Sequence, residues 1–192
     1  MSQNTTPTVV AICGSLRPES KTRTALEQTL SVASANGGET ELLDLREYDL
    51  PALDTSTDMP PAANRISATV ERADSLLLGT PTYHGSYSGA LKNALDYCGR
   101  DEFAGTTVGL LEVAGGRFPG GACDHLRTVS RTLNAWTLPL EVAIPHSSDL
   151  VVDGEITDDA LRSRIEQLGR ELVEYAGVDD YPEAAAIPTD PV

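Results

Sequence analysis

Lysine is almost missing from this chain of 192 residues: Lys21 and Lys92 stand alone among 14 basic residues, against 29 Asp and Glu and a net charge of −15. A field of this sign repels phosphate polymers, which argues against nucleic acid and anionic membranes as partners. Acid excess with lysine depletion also points to a halophilic protein, because dense carboxylates hold water and ions and repel one another less when screened. Cysteine is scarce too. Cys13, Cys98 and Cys123 form an odd set without C-x-x-C spacing, which speaks against a disulfide framework or a zinc site and leaves them as small buried thiols. No run of about 18 apolar residues occurs, so no transmembrane helix is encoded, and the polar residues 1–7 do not read as a signal peptide. A cytoplasmic protein is the expectation, with residues 1–178 as one domain whose 40% hydrophobic content fills a single core. From residue 179 to 192 the composition turns to Asp, Pro and Ala, which reads as a mobile tail.

What the chain does contain is a regular alternation. Near-continuous apolar runs at 8–12, 40–45, 75–80, 106–113 and 138–144 read as strands buried on both faces. Between them lie 3.6-residue patterns: Leu26, Leu30 and Ala33; Ile66, Val70 and Ala73; Tyr87, Leu91 and Leu95; Leu126, Val129 and Leu133. A closing helix carries Leu161, Ile165, Leu168, Leu172 and Ala176 on one face, with Thr157 as its expected N-cap and Gly177 as its stop. The reading is an α/β flavodoxin-like three-layer sandwich: a five-stranded parallel sheet, order 2-1-3-4-5, with helices on both faces.

The turn after the first strand, C-G-S-L-R-P-E-S-K-T over residues 13–22, gathers anion-binding groups against the global charge. A helix N-terminus offers unsatisfied N–H donors, Arg17 and Lys21 add charge, and Ser15, Ser20 and Thr22 add hydroxyls. Spacing excludes three familiar phosphate binders. A P-loop would need the glycine one residue later and the second glycine before Lys21, where Ser20 stands. A cysteine phosphatase loop would need arginine where Glu19 stands, and a dinucleotide fingerprint would need two further glycines beside Gly14. A turn suited to a terminal monophosphate, such as that of FMN, remains; a capped helix start without a ligand is the alternative.

In such a sheet, ligands sit beyond the carboxyl ends of the strands at the switch point between the first and third. The loop after the third strand reads G-T-P-T-Y-H-G-S-Y-S-G from Gly79 to Gly89, stiffened by Pro81 and able to approach a flat ring through its glycines. A glycine-rich loop after the fourth strand, Ala114 to Gly121, is placed to meet the other edge of the same ligand.

On these residues the chain resembles the NAD(P)H-dependent FMN reductase family of flavodoxin-like quinone, chromate and azo-dye reductases, over residues 8–177. The family's phosphate loop G-S-x-R-x-x-S is matched by Gly14, Ser15, Arg17 and Ser20, and Thr22 stands where many members have asparagine. The flavin-edge pattern P-E-Y-N-x-S-x-P-G-x-L-K-N-A-x-D is matched from Pro81 to Asp96, with Thr82, His84 and Ser88 as departures. Gly115 and Gly116 match a double glycine beside the pyrimidine end of the flavin. The resemblance implies that Ser15, Arg17, Ser20, Lys21 and Thr22 hold the FMN phosphate, and that Pro81, Thr82, Tyr83, His84, Gly85, Ser86, Gly115 and Gly116 border the ring. It further implies hydride transfer from NADPH or NADH to FMN, then to a small-molecule electron acceptor: flavin, quinone, azo compound or metal oxyanion. No side chain is assigned as catalytic and no metal is expected. A homodimer or homotetramer is implied, with the helix after Ser88 as contact. A flavodoxin-type electron carrier with a protein partner, and a cofactor-free regulatory domain, are the alternatives.

Overall fold

Each apolar run becomes a strand and each amphipathic stretch a helix in the computed structural model, which describes residues 6–117 and 119–177. The elements follow as β1 (Thr8–Cys13), α1 (Lys21–Ala35), β2 (Glu39–Asp44), α2 (Pro61–Glu71), β3 (Ser75–Pro81), α3 (Gly89–Asp96), α4 (Arg100–Phe103), β4 (Thr107–Val113), α5 (Gly121–Thr132), β5 (Trp136–Ile144), α6 (Ser147–Leu150), β6 (Val151–Val152), β7 (Glu155–Ile156) and α7 (Asp159–Glu174). The sheet runs β2-β1-β3-β4-β5, all parallel, which is the expected flavodoxin-like order. The expected tail over 179–192 lies outside the described residues.

Alternation along the buried strands divides the core in two. Val9, Ala11, Leu77 and Leu111 face α1 and α7, whereas Val10, Ile12, Leu76, Leu78 and Leu110 face α2, α3 and α5. Both faces are thereby covered, as continuous apolar strands require. No helix among the described residues is long and apolar enough to cross a membrane.

Several local expectations need correction. The N-cap of α7 is Asp158, whose carboxylate accepts from Leu161 N at 2.8 Å, and not Thr157. Thr157 is occupied elsewhere: its N–H donates to Leu150 O at 3.0 Å and closes the small β6–β7 hairpin, which has no apolar run to announce it. Leu45 leaves the second strand and opens a 3₁₀ turn, Leu45–Glu47. Ala73 and Tyr87 fall just outside α2 and α3, and the short helices α4 and α6 were too brief for a periodic signal.

The two helices on one face cross at a glycine. A Cβ on Gly169 of α7 would lie 2.7 Å from Thr29 O and 2.8 Å from Val32 Cβ of α1. Gly169→Ala is expected to cost about 1 kcal/mol, because overpacking is partly offset by the higher helix propensity of alanine. A urea unfolding midpoint unchanged or raised would show that α7 shifts freely.

Candidate functional site

Cys13, Pro81 and Val113 end adjacent parallel strands, so the loops that follow emerge side by side at one edge of the sheet. They enclose a cleft of about 390 Å³. Nine of the thirteen sequence-predicted residues line it: Ser15, Arg17, Ser20, Lys21, Thr22, Pro81, Thr82, Tyr83 and Gly115.

The first wall is the turn into α1. Ser20 caps the helix, its Oγ accepting from Arg23 N at 3.1 Å, which leaves the N–H groups of Lys21 and Thr22 without an intrahelical acceptor. Ser15 is buried and its Oγ accepts weakly from Arg17 N at 3.5 Å. The Arg17 side chain is exposed and forms no ion pair among the described residues, with Glu19 or any other carboxylate. Lys21 Nζ crosses the cleft to donate to Ser147 O at 2.7 Å. Beneath the turn lies the Cys13 thiol, 3.9 Å from Ser15 O, where burial pushes its pKa up and keeps it protonated.

The second wall is the loop after β3, and it is stitched to the first. Gly14 N donates to Gly79 O at 2.8 Å, and Ser88 Oγ donates to Gly14 O at 2.7 Å while accepting from Leu91 N at 3.1 Å. Ser88 itself is held by Thr80 Oγ1, which accepts from its N–H at 2.9 Å. One serine thus caps α3 and joins two loops. Thr82 N donates to Val113 O at 2.9 Å, while its Oγ1 is buried with no hydrogen-bond partner among the described residues. An unsatisfied buried hydroxyl is costly and marks a place where a ligand polar atom belongs.

Tyr83 and Ser86 pair through both backbone groups, closing a two-residue turn in which His84 (φ 52°) and Gly85 (φ 78°) are both left-handed. His84, Gly85 and Ser86 therefore shape the rim and do not line the cleft. Ser86 Oγ is 2.9 Å from His125 Nδ1 on α5, which ties this turn to the next element. Gly116 also lies off the cleft, its carbonyl accepting from His146 N at 3.0 Å. A Cβ on Gly115 or Gly116 would meet nothing within 4 Å, so the space beside this loop is open.

Four lining residues escaped the sequence reading: Glu19, Val113, Ser147 and Ser148. The serines sit on α6, directly after β5, where Ser147 N donates to Ala114 O at 3.0 Å. Their signal was available, for the carboxyl end of every parallel strand reaches this edge.

Among solved structures, an NADH:FMN oxidoreductase in its apo form aligns over 89% of this chain and 90% of its own at a TM-score of 0.74 and 24% identity. An oxidoreductase from Corynebacterium diphtheriae aligns over 92% and 99%, with a TM-score of 0.73 and 22% identity. At these identities the likeness is one of fold. In sequence, the FMN-dependent NADPH-azoreductase of Staphylococcus aureus is 41% identical over 118 residues, or 58% of this chain and 62% of that protein, so the match spans less than two thirds of the relative. The model of the NADPH-dependent FMN reductase family matches residues 7–149, the segment that carries the first two walls of the cleft and the glycine loop, and the chain belongs to that family.

Proposed function

We propose that this chain is an NAD(P)H-dependent flavin oxidoreductase that holds FMN in the cleft between α1, Pro81–Tyr83 and Gly115, with His84, Gly85, Ser86 and Gly116 just beyond its lining. The observation that carries the reading is the convergence on one cleft of a helix N-terminus, the Arg17 guanidinium and the Thr82 hydroxyl, neither side chain having a partner among the described residues. The donor set fits the group: N–H and hydroxyl donors with two cations suit a monophosphate, and the open glycine side admits a flat ring. Bound FMN would supply acceptance of hydride from NADPH or NADH and its delivery to a second substrate.

The protein's part is to bind and orient. Ser15, Ser20, Lys21 and Thr22 would hold the phosphate together with Arg17. Thr82 would donate its hydroxyl to a polar atom of the ring, and Tyr83, just before the left-handed turn at His84–Gly85, lines the cleft. Tyr83 is 42% exposed and offers a face on which nicotinamide and then a flat acceptor stack in turn. N–H donors near Gly115 and Gly116 favour negative charge at the pyrimidine edge. No side chain is required to move a proton.

The acceptor class is flavin, quinone, azo compound or metal oxyanion, and the azoreductase relative supports the azo reading. Three buried free thiols suit a reducing, cytoplasmic compartment. The acidic composition supports work at high salt, and the apolar groove between α3 and α5, with Leu95, Val129 and Leu133, supports a homodimer or homotetramer through α3.

The test is anaerobic stopped-flow absorbance of FMN-loaded protein in molar salt. NADPH or NADH should bleach the flavin within the turnover time, and an azo dye or quinone should restore its colour. Persistently oxidised flavin would point to an electron carrier, and failure to load FMN would remove the cofactor reading.

A further inference from the structure

The crest of the turn before α1 is exposed, lies outside any helix or strand, and carries the arginine on which phosphate recognition depends. Its carbonyls are fastened from outside. Arg46, in the 3₁₀ turn after β2, donates through Nη1 to Arg17 O at 3.2 Å and Pro18 O at 3.1 Å. The other side of the same guanidinium is gripped by Asp44, whose oxygens accept from Nε at 2.9 and 3.1 Å and from Nη2 at 2.5 Å. Asp44 is only 4% exposed and stands beside Cys13 in the parallel register, at the strand end from which the turn departs. Its carboxylate also accepts from Arg46 N at 3.1 Å, closing the turn that presents the arginine. Arg23 of α1 approaches the same carboxylate at 3.7 Å.

We propose that Asp44 and Arg46 form a brace that positions the phosphate turn, and that this brace sets the preference for a phosphorylated flavin over an unphosphorylated one. Arg46 touches the turn through its carbonyls and does not itself line the cleft, so it is a positioning residue. Its fork is needed because one edge engages the carboxylate while the remaining nitrogen spans two carbonyls. A lysine in its place carries the charge but cannot span both. The brace also draws the carbonyl oxygens of Arg17 and Pro18 to itself, away from a bound anion they would repel. The inference rests on the reading of the cleft as an FMN site and adds how its phosphate selectivity is built.

Flavin fluorescence titrations with FMN and with riboflavin, in molar salt, test it on wild type, Arg46→Lys, Arg46→Ala and Asp44→Asn. Wild type should prefer FMN. Each variant should lose FMN affinity by about tenfold while riboflavin affinity stays unchanged, as expected when one or two hydrogen bonds that hold the turn in its phosphate-binding shape are lost. Arg46→Lys is the deciding variant, since it keeps the charge and removes the fork. Variants that retain the wild-type ratio of FMN to riboflavin affinity overturn the brace, and so does an equal loss of both ligands, which would mark a merely structural role. A wild type that binds neither flavin overturns the cofactor reading itself, and one that binds both equally overturns the phosphate assignment.

Discussion

Gly14→Ala should destabilise the fold by about 2–3 kcal/mol and open the cleft at its root, through overpacking that no nearby atom can relieve. A Cβ there would lie 2.8 Å from Leu91 Cβ, 2.9 Å from Ser88 Oγ and 3.0 Å from Gly79 O. None of these is the free end of a flexible chain. Leu91 Cβ is fixed by the α3 backbone, and Ser88 Oγ is held between Gly14 O and Leu91 N. Gly79 O already accepts from Gly14 N. Accommodation therefore requires the first two walls of the cleft to separate, so FMN affinity should fall with stability. Gly89→Ala is the control, since a Cβ at that position meets nothing within 4 Å. Equilibrium unfolding in urea and flavin titration of both variants decide the matter. Equal midpoints for Gly14→Ala and Gly89→Ala would show that the loops are not stitched as tightly as these distances imply.

The strands were legible because burial on both faces forces an unbroken apolar run, as in Leu76, Leu77 and Leu78, and a run of that length is hard to hide. Their parallel order and the crevice at their carboxyl ends follow from connection rules, which is why nine cleft-lining residues were readable from two loops and a double glycine. Residues that act across the fold were not. Asp158 and Thr157 are both good caps in sequence, and only the hairpin that engages Thr157 decides between them. Arg46 reads as one more surface charge until the sheet register brings Asp44 beside Cys13 and the turn above it. In sequence, Ser88 is only a departure from the family's proline. It proves to be a three-way hydrogen-bond node that a proline could not form.

Glu112 is the residue whose importance the sequence conceals most. It interrupts the apolar run of β4 and is fully buried, which for a carboxylate demands partners. They come from α5, a helix with no side-chain cap of its own because Gly120 occupies the N-cap position. The carboxylate accepts from Gly120 N and, at 3.0 Å, from Cys123 N, so a strand residue caps a helix and holds the end of the glycine loop. Glu112→Ala should cost about 3 kcal/mol by leaving buried N–H donors without acceptors. It should also loosen the Tyr83–Ser86 turn, since Gly121 abuts Gly85 O and His125 holds Ser86. Burial pushes the Glu112 carboxyl above the usual carboxylate range; the N–H groups of Cys123 and Ala122 oppose the shift, while Glu141 and Asp124 add to it. Arg127 is engaged with Glu141 at 2.8 Å. A carboxyl raised in the native state binds its proton more tightly when folded. Its contribution to stability is therefore full below the unfolded value near 4.5 and is withdrawn as pH rises through the raised native value. Glu112→Gln cannot ionise and lacks that slope. The stability of wild type relative to Glu112→Gln, measured by urea unfolding at a series of pH values, should decline as pH climbs above the ordinary glutamate range. A difference that grows with pH would mean that the N–H donors outweigh desolvation, and that the clamp is strongest when charged.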